Sequence, residues 1–382
     1  MQAVSPFKEG AELILEEGGE ALKQCYQCGL CSAACPWSEV RTFLVRRLMH
    51  QGQLGVVDFE DEDVWQCATC KACVERCPRG VEIIDVMKAL RRVITEVGVA
   101  KVPDSLRITV KNISSVGNPL GEAPEKRVDW AKKFDVKLFT EGTEWLYIPC
   151  CIPAYDPGAL RVAQATASVL KKVGADFGVL DAREVCCGES VRKAGNESLF
   201  QTLAEGNINA FAEAGAVRVI TSSPHCYYTF REEYPKLGAS FEVVHFTQYL
   251  AGLIKEGKLE FTRGIKKKVA YHDPCYLGRH SGVYDEPREV LESIPGLELV
   301  EMPNYREDSF CCGGGGGRIW MESKKGERLS DIRVEQALEV GADILAIACP
   351  YCLLNFDDSV LTMDKGSAIQ IRDIAELVDE AI

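Results

Sequence analysis

Five cysteines in the last third of the chain have the types and spacing for metal chemistry. They are Cys275, the adjacent pair Cys311-Cys312 before Gly313, and the two thiols of Cys349-Pro350-Tyr351-Cys352. Three loops thus deliver more thiols than one tetrahedral zinc can use. A soft, thiolate-rich pocket of this kind selects iron–sulfur clusters. Neighbouring residues of a regular strand face opposite ways, so Cys311 and Cys312 can share a cluster only from an irregular loop. The run of glycines after Cys312 supplies that irregularity, with room for backbone to approach the sulfides. The predicted chemistry is electron transfer through iron and sulfur.

A second thiol system lies near the N-terminus. Cys25-x-x-Cys28-x-x-Cys31-x-x-x-Cys35-Pro36 recurs as Cys67-x-x-Cys70-x-x-Cys73-x-x-x-Cys77-Pro78. The first three cysteines of such a run wrap one cubane, while the fourth, before proline, reaches the other. Cys25, Cys28, Cys31 and Cys77 are therefore expected on one [4Fe-4S] cluster, and Cys67, Cys70, Cys73 and Cys35 on the other. Zinc is the competing reading, and two complete four-cysteine runs argue against it.

Bulk properties exclude other classes. Eighteen cysteines among 382 residues of intracellular-looking composition argue for metal rather than disulfides. A net charge of −13 disfavours a nucleic-acid partner. No basic-then-apolar leader opens the chain, and no apolar run approaches the ~18 residues that span a bilayer. A cytoplasmic location is expected, with membrane association only through a partner. Gly117-Asn118-Pro119-Leu120-Gly121 lacks the preceding strand and spacing of a dinucleotide fingerprint, and no flavin site is evident.

From Trp145 onward the chain repeats itself. Cys150 and Cys275 are 125 residues apart, as are Cys186 and Cys311, and Cys187 and Cys312; Cys226 and Cys352 are 126 apart. The first copy departs in Ser222-Ser223-Pro224-His225-Cys226, where Ser223 stands at the position of Cys349, and it adds Cys151 beside Cys150. A serine hydroxyl is a poor iron ligand because it holds its proton far more tightly than a thiol. Cys150, Cys186, Cys187 and Cys226 suffice for an ordinary cubane, Cys151 offers a fifth thiol for a modified cluster, and a site without a cluster is the third reading.

The stretch Tyr271-His272-Asp273-Pro274-Cys275-Tyr276-Leu277-Gly278-Arg279-His280, the Cys311-Cys312-Gly313 segment and the Cys349-Pro350-Tyr351-Cys352 end resemble the CCG cysteine-rich domain of heterodisulfide reductase, in its B-type and D-type subunits. The long helical spacer between the N-terminal runs is similar to the ferredoxin module of the C-type subunit, and the whole layout resembles the fused, D-type subunit. The resemblance implies a non-cubane [4Fe-4S] cluster on Cys275, Cys311, Cys312, Cys349 and Cys352, where a substrate disulfide is cleaved or two thiols are oxidised. It also implies ferredoxin cubanes that accept electrons singly from a partner. The chain is then an oxidoreductase subunit that needs flavin-containing or other redox partners, because it carries no flavin motif of its own. Ser223 counts against the family's paired non-cubane clusters. It favours the alternative of a relay without its own substrate, serving an electron-transfer flavoprotein or a larger reductase such as the class II benzoyl-coenzyme A reductase assembly. A scaffold with structural metals is the remaining reading.

These sites need elements to position them. Residues 7–24 read as a helix leading to Cys25, and 40–54 as an amphipathic helix packed on the clusters. Arg46, Arg47 and His50 form its solvated face or, alternatively, a docking surface for an acidic partner. Residues 101–143 carry prolines and glycines without a sustained period and read as a linker wrapping the next domain. Beyond them, β-branched runs at Trp145–Ile148, 217–221, 267–271, 297–301 and 344–348 alternate with helical stretches such as 160–173. That alternation predicts small parallel α/β sheets with cysteines at strand ends. The predicted class is α+β: a helical ferredoxin-like domain with two [4Fe-4S] clusters over 1–100, a linker over 101–143, and tandem CCG domains over 144–263 and 264–382. Near the second set of thiols, His272 and Asp273 are candidates for hydrogen bonds to a ligating sulfur or for a turn before Pro274. Arg279 and His280 could bring charge or a proton there or lie at the surface. His225 is a hydrogen-bonding residue or, less simply, a ligand.

Overall fold

The protein is described by a computed structural model covering residues 5–324 and 326–382. It is α+β, helical in its N-terminal part and followed by two parallel sheets. The described residues form two compact units. One is the chain up to Ile108 with Ser190–Phe200 and Gly313–Leu329; the other is Thr109–Glu189 with Gln201–Cys312 and Ser330–Ile382. Segments soon after Cys186-Cys187 and directly after Cys311-Cys312 thus belong to the N-terminal unit.

In the first unit, the helix expected over 7–24 is Lys8–Ile14, followed by irregular helical turns to Gln24 with a kink at Gly18 (φ 96°). The spacer helix is Val45–Leu54, shorter than expected, and buries Val45, Leu48, Met49 and Gly52. Helix Ile83–Arg92 buries Ile83, Val86, Met87 and Leu90 along one face. Its Arg91 is fully buried and donates to four carbonyls: Nε to Val64, Nη1 to Lys193 and Gly316, and Nη2 to Cys67. One guanidinium therefore ties all three chain segments of the unit. The glycine run works here too. A Cβ on Gly315 or Gly316 would lie 2.3 Å from the carbonyl oxygen of Ala68 or Cys67. These two glycines admit the backbone of the second N-terminal cysteine run.

The stretch 101–143, expected as a linker wrapping the next domain, holds helix Asp104–Val116, the turn Pro124–Val128 and helix Asp129–Lys133. Trp130 is buried and meets Tyr147 edge-on at 6.1 Å. The apolar Val128, Trp130, Ala131 and Val136 supply what a linker would lack, a face to bury.

In the second unit, β1 (Trp145–Ile148), β2 (Phe177–Gly178), β3 (Arg218–Thr221) and β4 (Glu242–His245) form a parallel sheet in the order β2-β1-β3-β4. β5 (Lys268–Tyr271), β6 (Glu298–Val300), β7 (Ile344–Ile347) and β8 (Gln370–Asp373) repeat it as β6-β5-β7-β8. Every residue of β1 and β7 is buried, as parallel strands covered on both faces require. Helix Leu160–Lys172, after β1, packs on the last helix Ile374–Ala381, and Asp285–Glu292, after β5, packs on Phe246–Lys255. Each repeat thus sets the first long helix after its opening strand against the last helix of the other, the exchange that a two-fold axis generates. The core is continuous through both repeats, from Trp145 and Tyr147 to Val269, Ile344 and Leu377.

Candidate metal centres

The two N-terminal cysteine runs fold alike. Gln27 and Thr69 (φ 65° and 49°), and Gly29 and Lys71 (φ 88° and 68°), take the same left-handed positions in the two copies. Such turns aim backbone amides inward. Thr69 N lies 3.4 Å from Cys67 Sγ, and Val81 N 3.4 Å from Cys77 Sγ. Cys25, Cys28, Cys31 and Cys77 line one small cavity together with Tyr26, Met49, Val81 and Ile83. Cys35 lies among Cys70 and Cys67, and Cys73 among Cys67, Cys70 and Cys35. Burial pushes Cys35 and Cys73 well above the ordinary thiol range, so a metal must drive their deprotonation. Arg47 of the spacer helix is exposed, as a solvated face requires, and pairs with Asp61 and Asp63. Arg46 and His50 border an open groove with Leu44.

In the first repeat, Cys226 Sγ donates to Cys187 Sγ at 3.6 Å. Cys150 is hydrogen-bonded to Cys226, and Cys186 to both Cys151 and Cys187. All five thiols assemble, Cys151 included. Cys150 itself sits at φ 77°, ψ 158°, a region nearly reserved for glycine that costs about 1–3 kcal/mol and recurs at functional sites. Hydrogen bonds from Cys186 and Cys226 outweigh burial and bring Cys187 down to about 6. Bonds from Cys150 and Cys187, with burial, push Cys226 up. Arg127 was missed by sequence reasoning. It is buried, places Nη1 and Nη2 at 3.5 and 3.6 Å from Cys151 Sγ, and pairs with buried Glu184. It ends the run Glu125-Lys126-Arg127, which reads as surface charge.

Ser223 stays out of the thiol group. It is the N-cap of helix Pro224–Tyr228, and its hydroxyl accepts the Cys226 N–H at 3.5 Å. Cys349 caps helix Pro350–Thr362 from the matching position without a side-chain cap bond.

In the second repeat, Cys352 Sγ donates to Cys312 Sγ at 3.3 Å. Cys311 is hydrogen-bonded to Cys312, and Cys349 to Cys352. Bonds from Cys311 and Cys352, with a further one from His272, bring Cys312 well below the ordinary thiol range despite burial. His272, Cys312 and Cys352 present donor atoms within 4.8 Å of one another, all buried, which fits a soft metal or cluster. Cys275 is buried, four residues after the end of β5. Arg333 Nε donates to His272 Nδ1 at 3.3 Å, which makes Nδ1 the acceptor and leaves the proton on Nε2. Asp273 belongs to the turn instead: its carboxylate accepts two N–H groups of Arg288 and the backbone N–H of Arg306. Arg279 donates to the carbonyls of Glu307 and Ser309 and so holds the loop ahead of Cys311.

Two cysteine runs for cubanes and two thiol-rich α/β repeats define an iron–sulfur protein of the oxidoreductase class. The 4Fe-4S dicluster domain model matches residues 21–81, and the CCG cysteine-rich domain model matches 145–231 and 269–357. The chain is 37% identical over 333 residues to the probable iron-sulfur-binding oxidoreductase FadF of Bacillus subtilis, and 35% identical over 335 residues to the EtfAB:quinone oxidoreductase of Syntrophomonas wolfei. Each match covers 84% of this chain and 47% of the relative, so the chain spans about half the length of these two proteins. To the D-type subunit of the dihydromethanophenazine:CoB–CoM heterodisulfide reductase of Methanosarcina barkeri it is 32% identical over 391 residues, 94% of either chain. The chain belongs to the family of heterodisulfide reductase D-type subunits. A hypothetical protein from Helicobacter pylori shares the fold, with a TM-score of 0.54 over 88% of this chain and 66% of that one at 11% identity. Among the described residues, no helix is long and apolar enough to cross a membrane.

Proposed function

We propose that the chain is an electron-transferring subunit of a multi-subunit oxidoreductase, with heterodisulfide reductase-like chemistry at Cys275, Cys311, Cys312, Cys349 and Cys352. The observation that carries this reading is the buried thiol group of the second repeat, with Cys312 and Cys352 3.3 Å apart and His272 beside them. Cys25, Cys28, Cys31 and Cys77 would hold one cubane, and Cys67, Cys70, Cys73 and Cys35 the other. Cys150, Cys186, Cys187 and Cys226, with Cys151 as a fifth thiol, would hold a further cluster. When bound, the clusters supply one-electron carriers and, in the second repeat, a place where a disulfide, two electrons and two protons become two thiols. The chain's own groups do the rest. Burial of the thiols excludes water, Arg333 sets the His272 tautomer, and His272 holds an N–H toward Cys312.

Flavin-containing or other redox subunits would deliver the electrons, and the name of the Syntrophomonas wolfei relative supports a flavoprotein donor. We place the chain in the cytoplasm, with membrane association through such a partner as the alternative. The relay reading, without a substrate, is favoured by one observation: Ser223 serves its helix as a cap. The deciding experiment gives anaerobically purified protein reduced viologen and mixed disulfides of small thiols. Viologen oxidation that disappears in Cys312→Ser is expected. A fully iron-loaded protein that oxidises no viologen with any disulfide would leave only the relay.

A further inference from the structure

Ser223-Pro224-His225-Cys226 and Cys349-Pro350-Tyr351-Cys352 open matching helices, each with proline in its first turn. The residue between proline and the last cysteine is histidine in one repeat and tyrosine in the other. These two residues meet: the His225 and Tyr351 rings lie 4.2 Å apart, tilted by 30°. The other face of His225 carries Tyr276 at 4.0 Å, and Tyr276 stacks in turn on His280 at 4.1 Å. Four rings therefore form a column, and three of them come from the second repeat.

His225 does not join the thiols of its own repeat. It is buried, its Nδ1 lies 3.4 Å from Glu189 Oε1, and its side chain is hydrogen-bonded to Cys349 of the second repeat. Glu189 comes two residues after Cys187 and opens the helix Glu189–Lys193. A carboxylate, an imidazole and a sulfur thus line up from one site to the other. A carboxylate on one ring nitrogen fixes the orientation of an imidazole and strengthens what its other nitrogen does. The arrangement is not reciprocal. The counterpart of His225 is Tyr351, and the counterpart of Cys349 is Ser223, whose oxygen is turned to the Cys226 N–H.

We propose that His225 is a positioning residue of the C-terminal cluster, supplied across the repeat boundary by the repeat that lacks its own Cys-Pro-x-Cys thiol. This rests on the reading of Cys349 as a cluster ligand. A hydrogen bond to a ligating sulfur stabilises the electron-rich form, so it raises the reduction potential of that cluster. The first repeat then tunes the second, whether or not its own cluster turns over.

The test compares wild type, His225→Phe and His225→Gln, each purified anaerobically with its native iron, by EPR-monitored redox titration. Phe keeps a ring between Tyr276 and Tyr351 but has no N–H; Gln keeps a donor but no ring. The expected result is unchanged iron content, with a C-terminal midpoint that moves negative in the Phe variant and returns toward wild type in the Gln variant. The N-terminal cubane signals stay in place. A Phe variant that titrates like wild type with full iron makes His225 a space-filler and overturns the proposal. Loss of the C-terminal iron in both variants does the same, since packing would then be its role. A wild-type chain with only N-terminal signals would defeat the cluster assignment itself, a different failure visible before any variant is made.

Discussion

At the scale of single residues, burial decides how these thiols behave, and the few polar groups buried with them decide which thiol ionises first. Ser223 is the sharpest difference between the repeats, and its work is a helix cap. Ser223→Cys should therefore have two effects. Loss of the cap should cost about 1 kcal/mol in the metal-free protein, and the new thiol should move the spectrum of the first-repeat cluster toward that of the second. Denaturant titration and EPR read the two separately; an unaltered spectrum at full iron would show that the missing thiol does not set the cluster type. Arg127 and Glu184 are both 3% exposed. Arg127→Leu leaves a carboxylate buried without its partner and should destabilise by about 3–5 kcal/mol. The Arg127→Leu/Glu184→Leu double variant should recover most of that loss. Equal unfolding midpoints for the single and double variants would refute an energetically coupled pair.

At the scale of elements, the loops after the cysteine pairs are shaped by what they touch. Gly316 has φ 63°, and a Cβ there would meet the Cys67 carbonyl oxygen at 2.3 Å, while Gly98 has φ 81° and open space around it. Gly98→Ala should cost about 1–2 kcal/mol, the left-handed backbone penalty alone. Gly316→Ala adds an overpacking cost of about 1–3 kcal/mol to the same penalty, and it should also loosen the carbonyl that Arg91 binds. Thermal unfolding of the two variants checks the difference, and equal losses would mean that the loop gives way without resistance. Arg91 shows why the loop resists: four carbonyls from three chain segments converge on one buried guanidinium.

At the scale of the whole molecule, two compact units carry distinct thiol groups, and the second unit is built on an internal two-fold exchange of helices. Anaerobically prepared protein should carry about 12–16 irons per chain, from two cubanes and one or two further clusters. Iron analysis with EPR during stepwise reduction measures it. A count of about eight, with no signals beyond the cubanes, would remove the clusters of the second unit. Cys312→Ser should abolish the C-terminal signal and leave the cubanes readable, because their ligand cysteines lie in the other unit. Simultaneous loss of every signal would mean that the site also holds the fold together.

The sequence by itself determined the chemistry. Two four-cysteine runs, the 125-residue offset and the alternation of β-branched and helical stretches are local or periodic features, and each maps directly onto a turn, a strand end or a sheet. The departure at Ser223 was equally legible, because a repeat supplies its own reference. Only the tertiary structure decided the rest. Arg127 carries no local signal, His225 reads as a hydrogen-bonding residue or a ligand, 101–143 as a linker wrapping the next domain, and the glycines 313–317 as room for backbone beside the sulfides. Each is settled by a neighbour far away in the chain: Glu184 and Cys151 for Arg127, Cys349 for His225, the first repeat's core for 101–143, and the carbonyls of Cys67 and Ala68 for Gly316 and Gly315. Spacing along a chain encodes which ligands can reach a common point within one loop or one repeat, whereas contacts between repeats and between distant segments arise only when the sheets and helices pack.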